Sequence, residues 1–227
     1  MDPVFPEERV HGCNPVGDGD HVVRQGECIS SLAAQTGLRR SDIWNHPANA
    51  RLREIRGNPN VLLPRDRVAI RRIEPKEQQG STEQTHRFEL ASEPVFLRVQ
   101  VLKRDEPLAG KPFTLTVEKL VIEDVTGPDG TIEVEVPPTA TTAFLKIGAG
   151  EDLFQMRLKL GGLHPVETAT GAQQRLQNLG FDCGPIDGLI GPRTRGAIRN
   201  FQAKFGLKLD GKLTPETRDQ LRHQHGC

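Results

Sequence analysis

The chain writes one turn-into-helix instruction twice near its C-terminal end. Residues 186–198 read IDGLIGPRTRGAI and residues 209–221 read LDGKLTPETRDQL. Asp187 and Asp210 stand 210 − 187 = 23 residues apart, and each is followed by Gly, then by Pro, Thr-Arg and an aliphatic residue at matching offsets. Asp-Gly favours a tight turn in which Gly takes a positive φ. Pro is harmless at the first helical position, because that N–H has no partner inside a helix. Each copy therefore reads as a turn feeding a Pro-started helix. The preceding GAQQRLQNLG places Ala172, Leu176 and Leu179 on one helical face. The second helix buries Ala197, Ile198, Phe201 and Phe205 and stops at Gly206; Thr214 caps the third, whose Leu221 faces inward. None of these stripes is buried by its own helix, so the duplication is first of all a packing solution.

The remainder reads as two further modules. HVVRQGECISSLAAQTG predicts a strand at Val22 and Val23, a turn at Gln25-Gly26, and a helix with Ile29, Leu32 and Ala33 on one face, stopped by Gly37. A second helix is predicted from Ser41 with Ile43 and Trp44 inward, interrupted at Pro47, and NPNVLLPRDRVAI supplies a turn and a returning strand. Residues 74–84, EPKEQQGSTEQ, read as a linker. Beyond them Leu97, Val99 and Val101 alternate, as do Phe113, Leu115 and Val117, then Ile132, Val134 and Val136, then Leu145 and Ile147, then Phe154, Met156, Leu158 and Leu160. Turn chemistry separates these runs, which predicts about seven short antiparallel strands in a β-sandwich. The fold class expected is α+β multidomain: an arm over 1–19, a βααβ module over 20–73, the linker, a sandwich over 85–160, and a three-helix domain over 161–227.

Composition narrows the function classes. Thirty basic and 30 acidic side chains cancel, which argues against nucleic acid or an anionic membrane as the main partner. No apolar run approaches the roughly 20 residues that span a bilayer, so no membrane insertion is expected. MDPVFPEERVHGCNP lacks the basic start and apolar run of a signal peptide, which leads to the expectation of an envelope or periplasmic protein exported without a cleaved leader, or a cytoplasmic one before export. Four cysteines allow three pairings. Local pairing, Cys13 with Cys28 and Cys183 with Cys227, is the expectation; four free thiols, or a metal site at His223, His225 and Cys227, are the alternatives.

The first module resembles the LysM module, a small glycan-binding fold. The resemblance rests on His21-Val22-Val23, Gly26-Glu27, Leu32-Ala33-Ala34 with Gly37, Asn58-Pro59-Asn60, and Leu63-Pro64-Arg65-Asp66. Arg65 stands where that family usually has Gly, Cys28 where it has Thr or Ser, and NHPANARLREIRG is a long insertion. The resemblance implies a sugar groove between Gly26, Glu27, Cys28, Ile29 and Ser30 on one side and Asn60, Val61 and Leu62 on the other. PLAGKPFTL with TGPDGTIEVEVPP is similar to carboxypeptidase-regulatory or transthyretin-like sandwiches, implying a spacer. Residues 171–222 closely resemble the three-helix peptidoglycan-binding domain of bacterial wall hydrolases, through Leu-Gly-Phe, Gly-Pro-Ile-Asp-Gly, Gly-Pro-x-Thr, Phe-Gln and Thr-Pro-x-Thr. That family implies a pocket at Asp187, Gly188, Leu189, Ile190, Gly191 and Arg193, with Arg195 beside it. An Arg fork suits muramyl-peptide carboxylates.

No catalytic constellation is legible. The seven His are scattered without an H-E-x-x-H pair, and the modules are too small to build a cleft around a Cys/His dyad or paired carboxylates. The expectation is therefore no enzyme, no metal and no cofactor: a non-catalytic peptidoglycan-binding protein with two glycan-type modules on a rigid spacer. The competing expectation is an adaptor of a contractile injection apparatus such as the type VI secretion system, whose accessory proteins this module order resembles. Its modules would then bind spike or effector proteins.

Overall fold

The computed structural model describes residues 14–72, 82–85, 94–103, 106–150 and 153–226. They form two compact units, and the division runs through space rather than along the chain. One unit is assembled from segments within 1–28, 44–70 and 162–227, the other from 29–43 and 71–161.

In the first unit, β1 (His21–Val22) pairs antiparallel with β2 (Arg67–Val68), His21 opposite Val68. A 3-10 turn at Pro47–Asn49 leads into the helix Ala50–Arg56 (α3 below), which Gly57 ends in the left-handed conformation. Pro47 thus opens a short helical turn rather than only breaking one. The unit is tied by Asp66, which is 0% exposed. Its carboxylate accepts from Arg56 Nε and Nη2, each at 2.7 Å, and from the Val16 and Leu63 N–H groups at 2.8 Å. Buried Asn49 trades two hydrogen bonds with the backbone of Ala69, just past the end of β2. Arg65, just before this hub, sits at φ +76, which explains why a glycine would suit the position.

The same unit holds the three-helix domain: α4 (Ala169–Asn178), α5 (Pro192–Lys204) and α6 (Pro215–His225). Thr168 and Thr214 cap α4 and α6 with their side chains, and Pro192 and Pro215 open α5 and α6 as the sequence predicts. Ala172, Leu176, Cys183, Ala197, Ile198, Phe201 and Leu221 close the core, with Phe181 edge-on to Phe201. Ahead of α4, residues 162–164 run as a strap. The Gln174 amide donates to the Gly162 carbonyl and accepts from the His164 N–H, while buried Arg175 donates to the His164 carbonyl at 2.7 Å. The strap touches the β1 turn, with Gln25 and His164 side chains 3.3 Å apart.

In the second unit, α1 (Ile29–Thr36) buries Ile29, Leu32 and Ala33, and α2 (Arg40–Trp44) buries Ile43. The latter begins at Arg40, one residue before the expected Ser41 cap. Eight strands follow: β3 (Val95–Gln100), β4 (Leu102–Lys103), β5 (Glu106–Pro107), β6 (Pro112–Val117), β7 (Leu120–Val125), β8 (Thr131–Val136), β9 (Thr142–Ile147) and β10 (Phe154–Lys159). One sheet runs β10-β9-β6-β7, a second pairs β3 with β8, and β4 pairs with β5, all antiparallel. Inward residues of the two larger sheets, Leu115, Val117, Leu145, Ile132 and Val134 among them, share one core. Strand β7 is not among the alternating runs of the sequence. It is an edge strand exposed along most of its length, so its side chains carry no clean alternation.

Candidate functional site

The two Asp-Gly turns are built alike, each clamped by a buried glutamine from the helix before it. Gln173 of α4, 0% exposed, donates from Nε2 to Asp187 Oδ1 and to the Leu189 carbonyl, each at 3.0 Å, and accepts from the Gly188 N–H at 2.8 Å. Gln202 of α5, 1% exposed, donates to Asp210 Oδ1 at 2.9 Å and the Lys212 carbonyl at 3.1 Å, and accepts from the Gly211 N–H at 2.9 Å. Thr194 and Thr217, buried in the following helices, complete the two clamps at 3.2 and 3.1 Å from the respective amides. Each aspartate also accepts from the N–H two residues on. Gly188 and Gly211 take φ +78 and +67, the left-handed region that a side chain disfavours.

This arrangement holds Asp187 and Asp210 ionised. The Gln173 amide, then the Leu189 N–H, lowers the Asp187 carboxyl; the Gln202 amide, then the Lys212 N–H, lowers Asp210. Asp187 is therefore first a turn-building residue, with one oxygen engaged by its own chain. What the first turn turns outward is apolar: Leu189 is 68% and Ile186 46% exposed. Ile190 is half-buried against the core, and Gly191 caps α5 without a side chain. Arg193 is exposed and donates from Nη2 to both carboxylate oxygens of Asp182 at 2.8 and 3.1 Å, and Asp182 is lowered first by the Gly184 N–H and then by Arg193. Asp187, Gly188, Leu189, Ile190, Gly191 and Arg193 thus do lie together at one turn and helix start.

At the N-terminal end, Ile29, Ser30, Val61 and Leu62 are buried, while Gly26, Glu27 and Cys28 are half-buried and Asn60 is exposed. Glu27 accepts from the Arg24 N–H and lies 2.9 Å from His21 Nε2. Burial alone would raise its carboxyl; those hydrogen bonds and nearby cations outweigh it, and the net shift is downward. A methyl group on Gly162 of the strap would lie 3.7 Å from Gly26 Cα.

The expected disulfides do not appear among the described residues. Cys13 and Cys227 lie outside them, and Cys183 is a free thiol, buried in the three-helix core with its Sγ donating toward the Gln173 carbonyl at 3.4 Å. Burial pushes this thiol up. Proximity in sequence suggests the local pairing, whereas Cys183 fills the interior of the three-helix core. Among the described residues no group of three or more His, Cys, Asp or Glu is placed to hold a metal. An open depression over α3 is lined by Ala50, Arg51, Glu54 and Ile55, apart from both turns.

Sequence reasoning missed Gln173 and Gln202 as site builders. The signal was present: each is a polar residue inside an apolar helical stripe, beside Ala172 and Leu176 or beside Ile198 and Phe201. A polar group there must find partners on folding.

The family described as "Putative peptidoglycan binding domain" matches residues 169–221. A spore cortex-lytic enzyme of Oceanobacillus iheyensis is 51% identical over 49 residues, 22% of this chain and 18% of that protein. The N-acetylmuramoyl-L-alanine amidase CwlM of Mycobacterium tuberculosis is 47% identical over 45 residues, 20% of this chain and 11% of that protein. The solved structure of SltB3 from Pseudomonas aeruginosa in complex with NAG-NAM-pentapeptide aligns at 44% identity over 24% of this chain and 14% of that one, with a TM-score of 0.23. This chain spans less than a fifth of each of these proteins. The similarity lies in the three-helix region, which is a C-terminal peptidoglycan-binding domain.

Proposed function

We propose that the chain is a non-catalytic peptidoglycan-binding protein of the bacterial cell envelope. The observation that carries this is the clamped first turn within the matched region, where a rigid backbone presents Ile186 and Leu189 outward beside the start of α5. A rigid turn meets its ligand without an ordering cost. The N-terminal strand–helix–helix–strand order and its Asn-Pro-Asn approach support a LysM-like second module, with Gly26, Glu27 and Asn60 as its surface, and the antiparallel sheets support a sandwich acting as scaffold. The non-catalytic part rests on the confinement of the lytic-enzyme similarity to the binding domain and on the lack of a catalytic motif in the sequence.

Sedimentation with insoluble peptidoglycan tests the proposal. The intact chain is expected to pellet with the wall without clearing it, and Leu189→Asp to reduce retention while leaving the thermal melt unchanged. Clearing of a murein suspension overturns the non-catalytic reading. Absence of pelleting, together with co-purification of a spike or effector protein, overturns wall binding in favour of the adaptor role.

A further inference from the structure

The cation expected to grip carboxylates at the first turn, Arg193, has an ion-pair partner in the chain's own Asp182. The second turn differs. Its scaffold is the same, with Gln202 standing 202 − 173 = 29 residues after Gln173. The residue under the glycine stands at the same offset: Thr170 beneath Gly188, Arg199 beneath Gly211. A methyl group on Gly188 would lie 3.0 Å from Thr170 Oγ1, whereas one on Gly211 would lie 3.1 Å from Arg199 Nε and 3.2 Å from the Arg195 carbonyl oxygen. Gly211 is therefore packed directly on the α5 face that carries Arg195 and Arg199.

We propose that this second turn is a separate carboxylate-binding site, formed by Arg195, Arg199 and Lys212, and that its ligands are the free carboxylates of peptidoglycan stem peptides. The proposal rests on the wall-binding reading above. Arg195 and Arg199 are one helical turn apart on α5 and exposed, and neither guanidinium has a hydrogen-bond or ion-pair partner among the described residues. Lys212 follows Gly211, and its backbone is fixed at both ends, N–H to Asp210 and carbonyl to Gln202. Lys208 and Lys212 both lie close enough to Asp210 to stabilise its charge, with Glu216 as a second acid nearby. Leu209, 61% exposed, supplies an apolar neighbour. The duplicated scaffold thus presents an apolar, charge-paired surface at one turn and an unpaired cationic one at the other. A guanidinium held against a rigid backbone offers the fork that a planar carboxylate accepts. Two such surfaces on one small domain engage successive parts of a single polymer strand.

The test is sedimentation of the full chain with three preparations of murein: native, amidated at its free carboxyls, and stripped of phosphodiester polymers. Arg199→Gln with Lys212→Gln is expected to weaken binding to native murein about tenfold and to flatten its salt dependence, the loss expected for charge-assisted hydrogen bonds. Wild type on amidated murein is expected to match the double variant, and stripping is expected to change nothing. Lys119→Gln, an exposed charge in the other unit, is the control and should bind as wild type does. Equal affinity and salt slope for wild type and the double variant overturn the second site while leaving wall binding intact. Loss of wild-type binding on stripped murein overturns the carboxylate ligand in favour of a phosphodiester. Failure of wild type to pellet at all removes the wall-binding reading and this site with it.

Discussion

Gln202 holds Asp210 as Gln173 holds Asp187, amide nitrogen to carboxylate oxygen at 2.9 and 3.0 Å, and both amides are sealed from solvent. The domain's two turns are thus fixed by side chains that lie outside the repeated motif. Replacing either glutamine with Ala takes the amide donor from the turn aspartate and leaves the Gly188 or Gly211 N–H without its acceptor. Each replacement is expected to cost about 2–3 kcal/mol, read as a fall in urea midpoint at constant slope. An unchanged midpoint would mean that the amides are incidental.

Arg56 and Asp66 form an ion pair with both side chains at 0% exposure. Removing one partner strands the other charge, so Asp66→Ala is expected to destabilise its unit by about 3–5 kcal/mol. The double variant Arg56→Met, Asp66→Leu should be less damaging than the sum of the single changes. Additive losses in the denaturation cycle would argue that the pair is not coupled.

Arg65 carries a side chain at φ +76. Arg65→Gly relieves that backbone strain and is expected to raise stability by about 1 kcal/mol, net of the extra freedom Gly gives the unfolded chain. A lower melting temperature for the glycine variant would contradict this.

Acid should unfold the protein in two phases. Burial, then the nearby Arg175 charge, lowers His225 from 6.5 to about 4, and Asn178 Nδ2–H lies 2.9 Å from its Nε2, a contact that needs the neutral ring. The unfolded chain binds the proton more readily between those values, so this stability is present above about 6.5 and is lost as pH falls toward about 4. The lowered carboxyls of Asp182, Asp187 and Asp210 add a further loss only as pH falls below the usual aspartate value of 3.8. His225→Asn is expected to abolish the upper phase in a pH series of urea midpoints and to keep the lower one.

The Cys183 thiol should be inert in the native state. Its burial and raised pKa predict labelling by iodoacetamide only in denaturant, checked by peptide mass spectrometry. A Cys183–Cys227 crosslinked peptide from the native protein would restore the pairing read from the sequence.

What the sequence determined by itself was local. The Asp-Gly pairs, the prolines at 192 and 215 and the threonine at 214 set the turns and helix starts through φ preference and capping, which act within a few residues. Alternation did the same for β6, β8 and β9, whose inner faces are buried, and for β3, whose inner face is half-buried; it does not mark β7 at the exposed edge, where nothing enforces a period of two. Only the tertiary structure decided which polar groups are used. Gln173 reaches Asp187 across 14 residues, Gln202 reaches Asp210 across 8, and Asp66 gathers donors from 16, 56 and 63. The same is true of Arg193, which the packing places beside Asp182, and of Arg199, which becomes a candidate by lying under Gly211. A buried hydrogen bond depends on desolvation and on geometry between distant segments, and neither exists until the chain has packed.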